Sequence, residues 1–381
     1  IDNDGDLDGY LATTAVAPPP GTQFRVNYIP RESDGKEIPV VIPELREYWE
    51  ILIMPGDRVR RVESGQYDHL YRNDGGRFVD VSKSAGIDGA YFTLSATWFD
   101  YDADGDADLY VSNDYTGPDM LYRNRGDGTF ENVVTDAVPH TPWFSMGSDV
   151  GDLNNDGQLD LFASDMSASS HYREKVMMGN MDDMGWFLEW AEPRQYMRNA
   201  LYLNAGGGRF REAAFLAGLS STDWTWTPRI EDFDQDGRAD LFITNGVMRD
   251  NMDSDLSAYA TKTFKPGSPE YTKFWIDKPM RKEDNLAFQN LGDLQFRMVG
   301  DQWGLQESGV SFGAATADFD RDGDPDLVVS NADRPVSLYR NLGSKHHRIA
   351  VDLIGRTSNR RALGATITIV GRSGTQTRTI T

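Results

Sequence analysis

The chain has 381 residues and carries 60 Asp and Glu against 38 Lys and Arg, which gives a formal net charge of −22 at pH 7. So acidic a chain repels nucleic acid and anionic membrane surfaces, and no apolar run is long enough for a transmembrane helix. The absence of cysteine excludes disulfides, thiol catalysis and cysteine-ligated zinc. We therefore expect no nucleic-acid partner and no membrane insertion, and a divalent metal is the obvious substitute for disulfides as a stabilising element.

One acidic pattern occurs five times: Asp-x-Asp/Asn-x-Asp-Gly-x-x-Asp, followed by a short apolar strand. We call these segments loops 1 to 5 and number the positions within each from 1 to 9. Ile1 falls inside loop 1, at position 2, so we expect the natural protein to continue upstream. The candidate metal ligands, at positions 1, 3, 5, 7 and 9, are Asp2, Asp4, Asp6 and Asp8 in loop 1; Asp100, Asp102, Asp104, Asp106 and Asp108 in loop 2; Asp152, Asn154, Asp156, Gln158 and Asp160 in loop 3; Asp232, Asp234, Asp236, Arg238 and Asp240 in loop 4; and Asp318, Asp320, Asp322, Asp324 and Asp326 in loop 5.

This pattern is typical of a calcium-binding loop. Short carboxylates at positions 1, 3 and 5 point inward, the glycine at position 6 permits a sharp turn, position 7 adds a backbone carbonyl, and Asp at position 9 closes the site. Hard oxygen ligands in a flexible loop suit calcium better than magnesium or a transition metal. A single copy would be explained as well by an Asx-rich turn, but five copies in register favour metal binding. We expect up to about five Ca²⁺, and expect loop 3, with Asn154 at position 3, to be the weakest of the complete sites.

A second motif, typified by Leu-Tyr-Arg-Asn, alternates with the acidic loops. The step from its Leu to the next loop glycine is nearly constant, at 35 to 37 residues, whereas the step from a loop glycine to the next such Leu varies from 15 to 65. Insertions near residues 18–68, 166–198 and 247–284 are therefore confined to one connection of the repeat. The copies of the second motif are Leu70–Asn73, Leu121–Asn124, Leu201–Asn204, Leu286–Asn290 and Leu338–Asn341.

The two motifs together predict four short antiparallel strands per unit of about 50 residues, which is the period of a propeller blade. Strand one precedes the acidic loop (96–99 and 314–317), strand two follows it (109–112), strand three is the second motif, and strand four begins at the Phe after a glycine-rich turn. We therefore predict an all-β fold: a β-propeller of four-stranded antiparallel blades over residues 1–343, followed over residues 344–381 by the start of a small β domain.

Three segments of the chain resemble sequences of known protein families. The segment SFGAATADFDRDGDPDL, from Ser311 to Leu327, resembles the FG-GAP repeat of integrin α-chain propellers, and its alternation with LYRN segments resembles the FG-GAP/VCBS repeat proteins of bacteria. The segment from Arg348 to Ile369 is similar to the opening of the ASPIC/UnbV domain, the C-terminal module of the cartilage acidic protein family. This resemblance implies seven blades in the intact protein, with calcium held between the first and second strands of a blade by the Asp and Asn positions named above.

All three insertions follow strand two, so we expect them on the face of the propeller opposite the acidic loops, where loops on a rigid scaffold commonly bind partners. Two insertions are rich in Met and aromatic residues, which suit an interface or stacking on sugars, but which suit packing of the insertions onto the ring at least as well. These residues are Met177, Met178, Met181, Met184, Trp186, Phe187, Trp190, Tyr259, Phe264, Tyr271, Phe274 and Trp275.

No catalytic motif is recognisable in the sequence. None of the five His lies in a metalloprotease or similar context, and Glu189 and Glu192 are better explained as a solvated helix face than as a glycosidase pair. We therefore expect no enzyme, no catalytic residue and no organic cofactor. The leading hypothesis is a calcium-stabilised binding or adhesion module outside a bacterial cell or on its surface, with a protein or glycan ligand. The alternatives are a self-associating structural subunit of a surface assembly or filament, and a carbohydrate-active enzyme.

Overall fold

The structure of the chain is a computed structural model. It describes residues 1–2, 4–54, 56–87, 89–115, 117–177, 191–343, 346, 349–356, 359–371 and 374–380. The Met- and Trp-rich part of the second insertion, including Trp186, Trp190 and Glu189, lies outside the described residues.

Short strands make up most of the regular structure. In chain order they are β1 (Gly9–Leu11), β2 (Val26–Pro30), β3 (Glu37–Val41), β4 (Trp49–Met54), β5 (Arg58–Glu63), β6 (Gln66–Tyr67), β7 (His69–Asn73), β8 (Phe78–Asp80), β9 (Ala90–Phe99), β10 (Asp108–Asp114), β11 (Met120–Asn124), β12 (Phe130–Asn132), β13 (Thr141–Pro142), β14 (Gly147–Gly151), β15 (Asp160–Ser164), β16 (Met166–Ser167), β17 (Gln195–Tyr196), β18 (Ala200–Asn204), β19 (Phe210–Glu212), β20 (Asp223–Glu231), β21 (Asp240–Asn245), β22 (Glu283–Asp284), β23 (Leu286–Asn290), β24 (Phe296–Met298), β25 (Ser308–Gly309), β26 (Ser311–Ala317), β27 (Asp326–Asn331), β28 (Ser337–Tyr339), β29 (Thr366–Gly371) and β30 (Gly374–Thr379). The described helices are the 3₁₀ turn Pro43–Leu45, α1 (Ser82–Ala85), α2 (Val134–Ala137), α3 (His171–Val176), α4 (Ala214–Ala217), α5 (Ser254–Thr263) and α6 (Pro269–Ile276).

Five antiparallel sheets follow one another along the chain as the blades of a propeller arrangement, which confirms the predicted all-β propeller fold. Blade 1 contains β1, β7 and β8, and blade 2 contains β9 to β12. Blade 3 contains β14, β15, β18 and β19, blade 4 contains β20, β21, β23 and β24, and blade 5 contains β26 to β28. Each of loops 2 to 5 connects the first and second strands of its blade, and loop 1 leads into β1. Seven blades in the intact protein remain a prediction.

The predicted bounds of strand one were too short. β9 begins at Ala90, not at Ala96, because Phe92 and Thr93 continue the pairing with β10 beyond a bulge between Ser112 and Asn113. The strand therefore bends at the bulge without ending there.

Each pair of neighbouring blades shares its own apolar core. Within β10, Leu109 and Val111 pack toward blade 1 and Tyr110 packs toward blade 3, and all three are at most 1% exposed. Because both faces of such a strand are covered, its sequence reads as a continuous apolar run and not as an alternation of apolar and polar residues.

The three insertions connect the second and third strands of blades 1, 3 and 4. The first forms the hairpins β2–β3 and β4–β5, the second contains α3, and the third contains α5 and α6. All three contribute to one apolar cluster that includes Met54, Met177 and Val247. The cluster lies where the second strands end, away from the acidic loops where these strands begin. We call this end of the blades the insertion face and the other end the loop face. Among the described residues, no helix has the length and apolar character needed to cross a membrane.

Candidate metal centres

The complete acidic loops share one backbone conformation. Position 4 adopts a left-handed backbone, with φ between 56° and 62° at Ala103, Asn155, Gln235 and Arg321, and the glycine at position 6 has φ between 90° and 96°. The Asp at position 1 stabilises this turn: in loop 2 the carboxylate of Asp100 accepts the backbone N–H groups of positions 5 and 6 at 3.1 and 3.0 Å. The same pair of hydrogen bonds occurs in loops 3, 4 and 5. The repeated Asp-Gly spacing therefore specifies a repeated shape, which is why one site description fits several loops.

Carboxylates at positions 1, 3 and 9 converge in three of the loops. Each residue in these groups offers one oxygen atom, and these oxygens all lie within 4.8 Å of one another. In loop 2 one oxygen of Asp102 is buried and has no hydrogen-bond partner among the described residues, which suits a metal ligand. An all-oxygen set of this kind fits Ca²⁺. The groups are Asp100, Asp102 and Asp108; Asp232, Asp234 and Asp240; and Asp318, Asp320 and Asp326.

Position 5 stands outside these groups. Its carboxylate instead accepts the backbone N–H of position 7, at 2.9 Å for Asp104, Asp156 and Asp236 and at 3.1 Å for Asp322. Loop 3 offers an amide oxygen at position 3, because Asn154 stands there, and the Asn154 amide nitrogen donates to Asp156 at 3.0 Å. The metal-ligand roles of positions 5 and 7, and the weakness of loop 3, remain predictions.

Loop 1 is described from its position 2 onward. Its position 7, Asp6, accepts the Gly75 N–H at 3.2 Å. The N–H of Asp6 donates to Asp4 at 3.0 Å, as position 7 does toward position 5 in the other loops. One Asp6 oxygen is buried and has no hydrogen-bond partner within the described part of the chain. Asp2, at position 3, accepts the N–H of Asp4 at 3.3 Å.

Among the loop ligands, the position-9 carboxyl groups of loops 2, 3 and 4 have the most strongly raised pKa values. Burial raises the pKa of Asp108 and Asp240 to about 8 and that of Asp160 to about 7; bound backbone N–H groups offset part of this effect and neighbouring loop carboxylates add to it. Burial likewise raises the pKa of Asp232 to about 6. A bound divalent cation would reverse these shifts, because it is the largest local charge and favours the ionised carboxylates.

The last residue of the second motif, an Asn, also belongs to the site, although the sequence indicated only that it lies in a strand. The Asn that ends the second motif donates its backbone N–H to the position-9 Asp of its own blade in all five blades. The distances are 2.8 Å for Asn73 to Asp8, 2.8 Å for Asn124 to Asp108, 2.9 Å for Asn204 to Asp160, 2.8 Å for Asn290 to Asp240 and 2.8 Å for Asn341 to Asp326.

The side chain of the same Asn connects neighbouring blades. Its amide nitrogen donates to the position-2 carbonyl of the preceding blade's acidic loop, and also to the position-8 carbonyl of its own loop at 2.9 to 3.2 Å. We call this arrangement the Asn joint. A signal was present in the sequence, since Asn is kept in all five motifs while the residue before it varies among Arg, Leu and Gln. The bonds between blades are Asn124 to Ile1 at 3.2 Å, and Asn204 to Tyr101, Asn290 to Leu153 and Asn341 to Phe233, each at 2.8 Å.

Cationic side chains lie against some of the loop carboxylates. Arg340 pairs with Asp320 at 2.5 Å, Arg238 pairs with Asp236, and Arg378 of β30 approaches Asp232 at 3.4 Å. Arg378 thereby brings the C-terminal hairpin β29–β30 onto the loop face, where Gln376 and Thr377 lie beside the loop glycines of blades 4 and 3.

The sequence of the repeats matches the model of a known protein family. The model of the FG-GAP-like repeat matches residues 100–163 and 188–243, a span that contains loops 2, 3 and 4. These parts of the chain are FG-GAP-like repeats, as their motifs predicted.

Within that class the chain is related to the cartilage acidic proteins. It is 27% identical over 251 residues to Cartilage acidic protein 1 of Homo sapiens, a match that covers 64% of this chain and 30% of the relative. The match to Cartilage acidic protein 1 of Xenopus tropicalis is 26% identical over 239 residues and covers 61% and 28%. The chain thus spans less than a third of the length of these curated relatives. Among solved structures, an Agrocybe aegerita lectin that recognises non-reducing terminal N-acetylglucosamine aligns at 15% identity with a TM-score of 0.34, covering 88% of this chain and 81% of the lectin.

Proposed function

We propose that this chain is a calcium-stabilised binding module that works outside the cell, with its recognition surface on the insertion face. The observation that carries the proposal is the convergence of three carboxylates in each of three equivalent loops. Without a cation, so many like charges in tight turns repel one another and destabilise the fold. FG-GAP-like repeats commonly bind calcium, and the relationship to the cartilage acidic proteins supports an extracellular location and a binding role in preference to catalysis.

The insertion face suits recognition in two respects. The insertions are fixed to the blades by the apolar cluster that contains Met54, Met177 and Trp224, so the loops above it stand on a rigid base. A cavity of about 630 Å³ lies between the first insertion and blade 2, with Trp49, Tyr67 and Tyr91 in its lining. Met177 itself is only 3% exposed, so its role is to pack the second insertion.

Removal of calcium tests the proposal. Ligands that bind only the folded state raise its stability, so we expect the melting temperature of the chain in excess EGTA to fall well below that in millimolar calcium. Calcium added back should restore it, and magnesium should not, because the loops offer a flexible oxygen cage and not a tight octahedron. Melting curves that coincide with and without EGTA would contradict the stabilising role of the loops.

A further inference from the structure

The third insertion carries a helical hairpin that stands apart from the blades. Asp253 caps α5 by accepting the N–H of Leu256 at 2.9 Å, and Ser268 caps α6 by accepting the N–H of Tyr271 at 3.2 Å. The two helices pack chiefly on each other. The hairpin is therefore a locally specified unit held on the insertion face.

Aromatic rings form the contact between the two helices, and some of these rings reach the surface of the hairpin. Phe274 lies at the centre, with ring centroids 5.7 Å from Tyr259, 5.7 Å from Phe264 and 5.0 Å from Trp275. Packing these rings does not bury all of them, since Tyr259 remains 56% exposed. The hairpin thus presents a fixed aromatic surface, in which little side-chain entropy is left to lose on binding.

Lysines surround this aromatic surface. The whole chain has nine Lys, and five of them lie between residues 262 and 282. Two of the five are paired with carboxylates, Lys273 with Asp277 at 2.8 Å and Lys282 with Asp333 at 2.9 Å, so the patch depends on the other three. Lys262 is exposed and comes three residues after Tyr259, on the same helix face, and Lys265 is exposed next to Phe264. The Lys278 ammonium lies 4.1 Å from the centroid of the Phe274 ring. A cationic and aromatic patch therefore interrupts the surface of a chain whose net charge is −22.

We propose that this hairpin binds an anionic polysaccharide, with carboxylate or sulfate groups paired to the lysines and sugar rings against the exposed aromatic face. The inference deepens the proposed function and rests on it for the extracellular setting. A flexible anionic polymer can follow the patch alone, so it gains the attraction to Lys262 and Lys265 without approaching the acidic remainder of the chain. A planar anionic membrane cannot contact the patch alone, because its surface would also lie within electrostatic range of many other carboxylates of the chain.

Affinity measurements with defined polymers test the inference. The full chain is titrated in millimolar calcium with hyaluronan, which is carboxylated, with dextran sulfate, which is sulfated, and with neutral dextran. We expect binding to at least one anionic polymer and none to neutral dextran, and we expect the affinity to fall as NaCl is raised from about 50 mM, because the contacts are screened. The charge reversal Lys262→Glu with Lys265→Glu should weaken binding about tenfold or more.

The matched control is Lys83→Glu with Arg211→Glu, which makes the same change in net charge at exposed positions on blades 1 and 3. The inference is overturned if the wild-type chain binds neither anionic polymer, if the control weakens binding as much as the hairpin variant does, or if phosphatidylserine vesicles bind while the polymers do not. The calcium-dependent rise in melting temperature is recorded for every variant. Its loss would contradict the proposed function, whereas its retention without polymer binding would contradict this inference alone.

Discussion

Asn290→Ala is expected to lower the free energy of unfolding by about 3 kcal/mol, both with and without calcium. The Asn290 side chain donates to the carbonyls of Leu153 at 2.8 Å and Ala239 at 2.9 Å, and accepts the N–H of Gly292 at 2.9 Å. Asn290 is fully buried, so truncation leaves these three groups without partners, and each unsatisfied buried group costs about 1–3 kcal/mol. Urea unfolding followed by tryptophan fluorescence measures the loss.

Asn73→Ala is the matched control for this prediction. Asn73 ends the same motif in blade 1, where its amide nitrogen bonds the Leu7 carbonyl of its own blade at 3.1 Å and no bond to another blade occurs among the described residues. We expect a loss of about 1 kcal/mol there, since the groups involved can bond water. Equal losses in the two variants would show that the bond between blades contributes nothing.

Hydrogen exchange locates the effect of the Asn joint. Because the joint fixes the position-2 carbonyl of loop 3, Asn290→Ala should speed amide exchange in residues 152–160 of blade 3 as well as around Asp240 in blade 4. Faster exchange confined to blade 4 would mean that the joint does not couple the two loops.

Much of this architecture was predictable because it repeats. Five copies of an Asp-Gly spacing specify one turn, and the apolar run after each loop specifies a strand buried on both faces. The constant step between motifs also indicated that all three insertions follow the second strand. These features depend on spacing along the chain, which a sequence displays directly.

What the sequence did not predict depends on pairing between distant segments. The Asn joint requires the register of β18 against β15 and the approach of Asn204 to Tyr101 of another blade, neither of which is visible along the chain. The true start of β9 depends on a bulge opposite Thr93. The packing role of Met177 could not be separated from a recognition role until its burial was known, because either role favours the same residue type.

Asp102→Asn is expected to lower stability in calcium but not in its absence. In calcium, the variant lacks one of the three carboxylates that converge in loop 2. If the free calcium concentration is about 100 times the Kd of this site, losing the site removes about 3 kcal/mol of stability. Without a cation, the wild-type carboxylate has a buried oxygen that finds no hydrogen-bond partner in the described residues, and burial raises the pKa of Asp102. An Asp with a raised pKa in the folded state contributes stability that is lost as the pH rises through that pKa, so the neutral amide should leave the melting temperature unchanged or raise it at pH 7.

Asp136→Asn controls for charge alone. Asp136 is exposed and lies near loop 2, beside the same small surface hollow as Asp102, but it belongs to none of the three carboxylate groups. Its substitution should alter the melting temperature little in either buffer, as expected of an exposed residue. If Asp102→Asn instead lowers stability equally in calcium and in EGTA, Asp102 acts as part of the turn and not as a metal ligand. If it lowers stability in neither, loop 2 is not a calcium site that stabilises the fold.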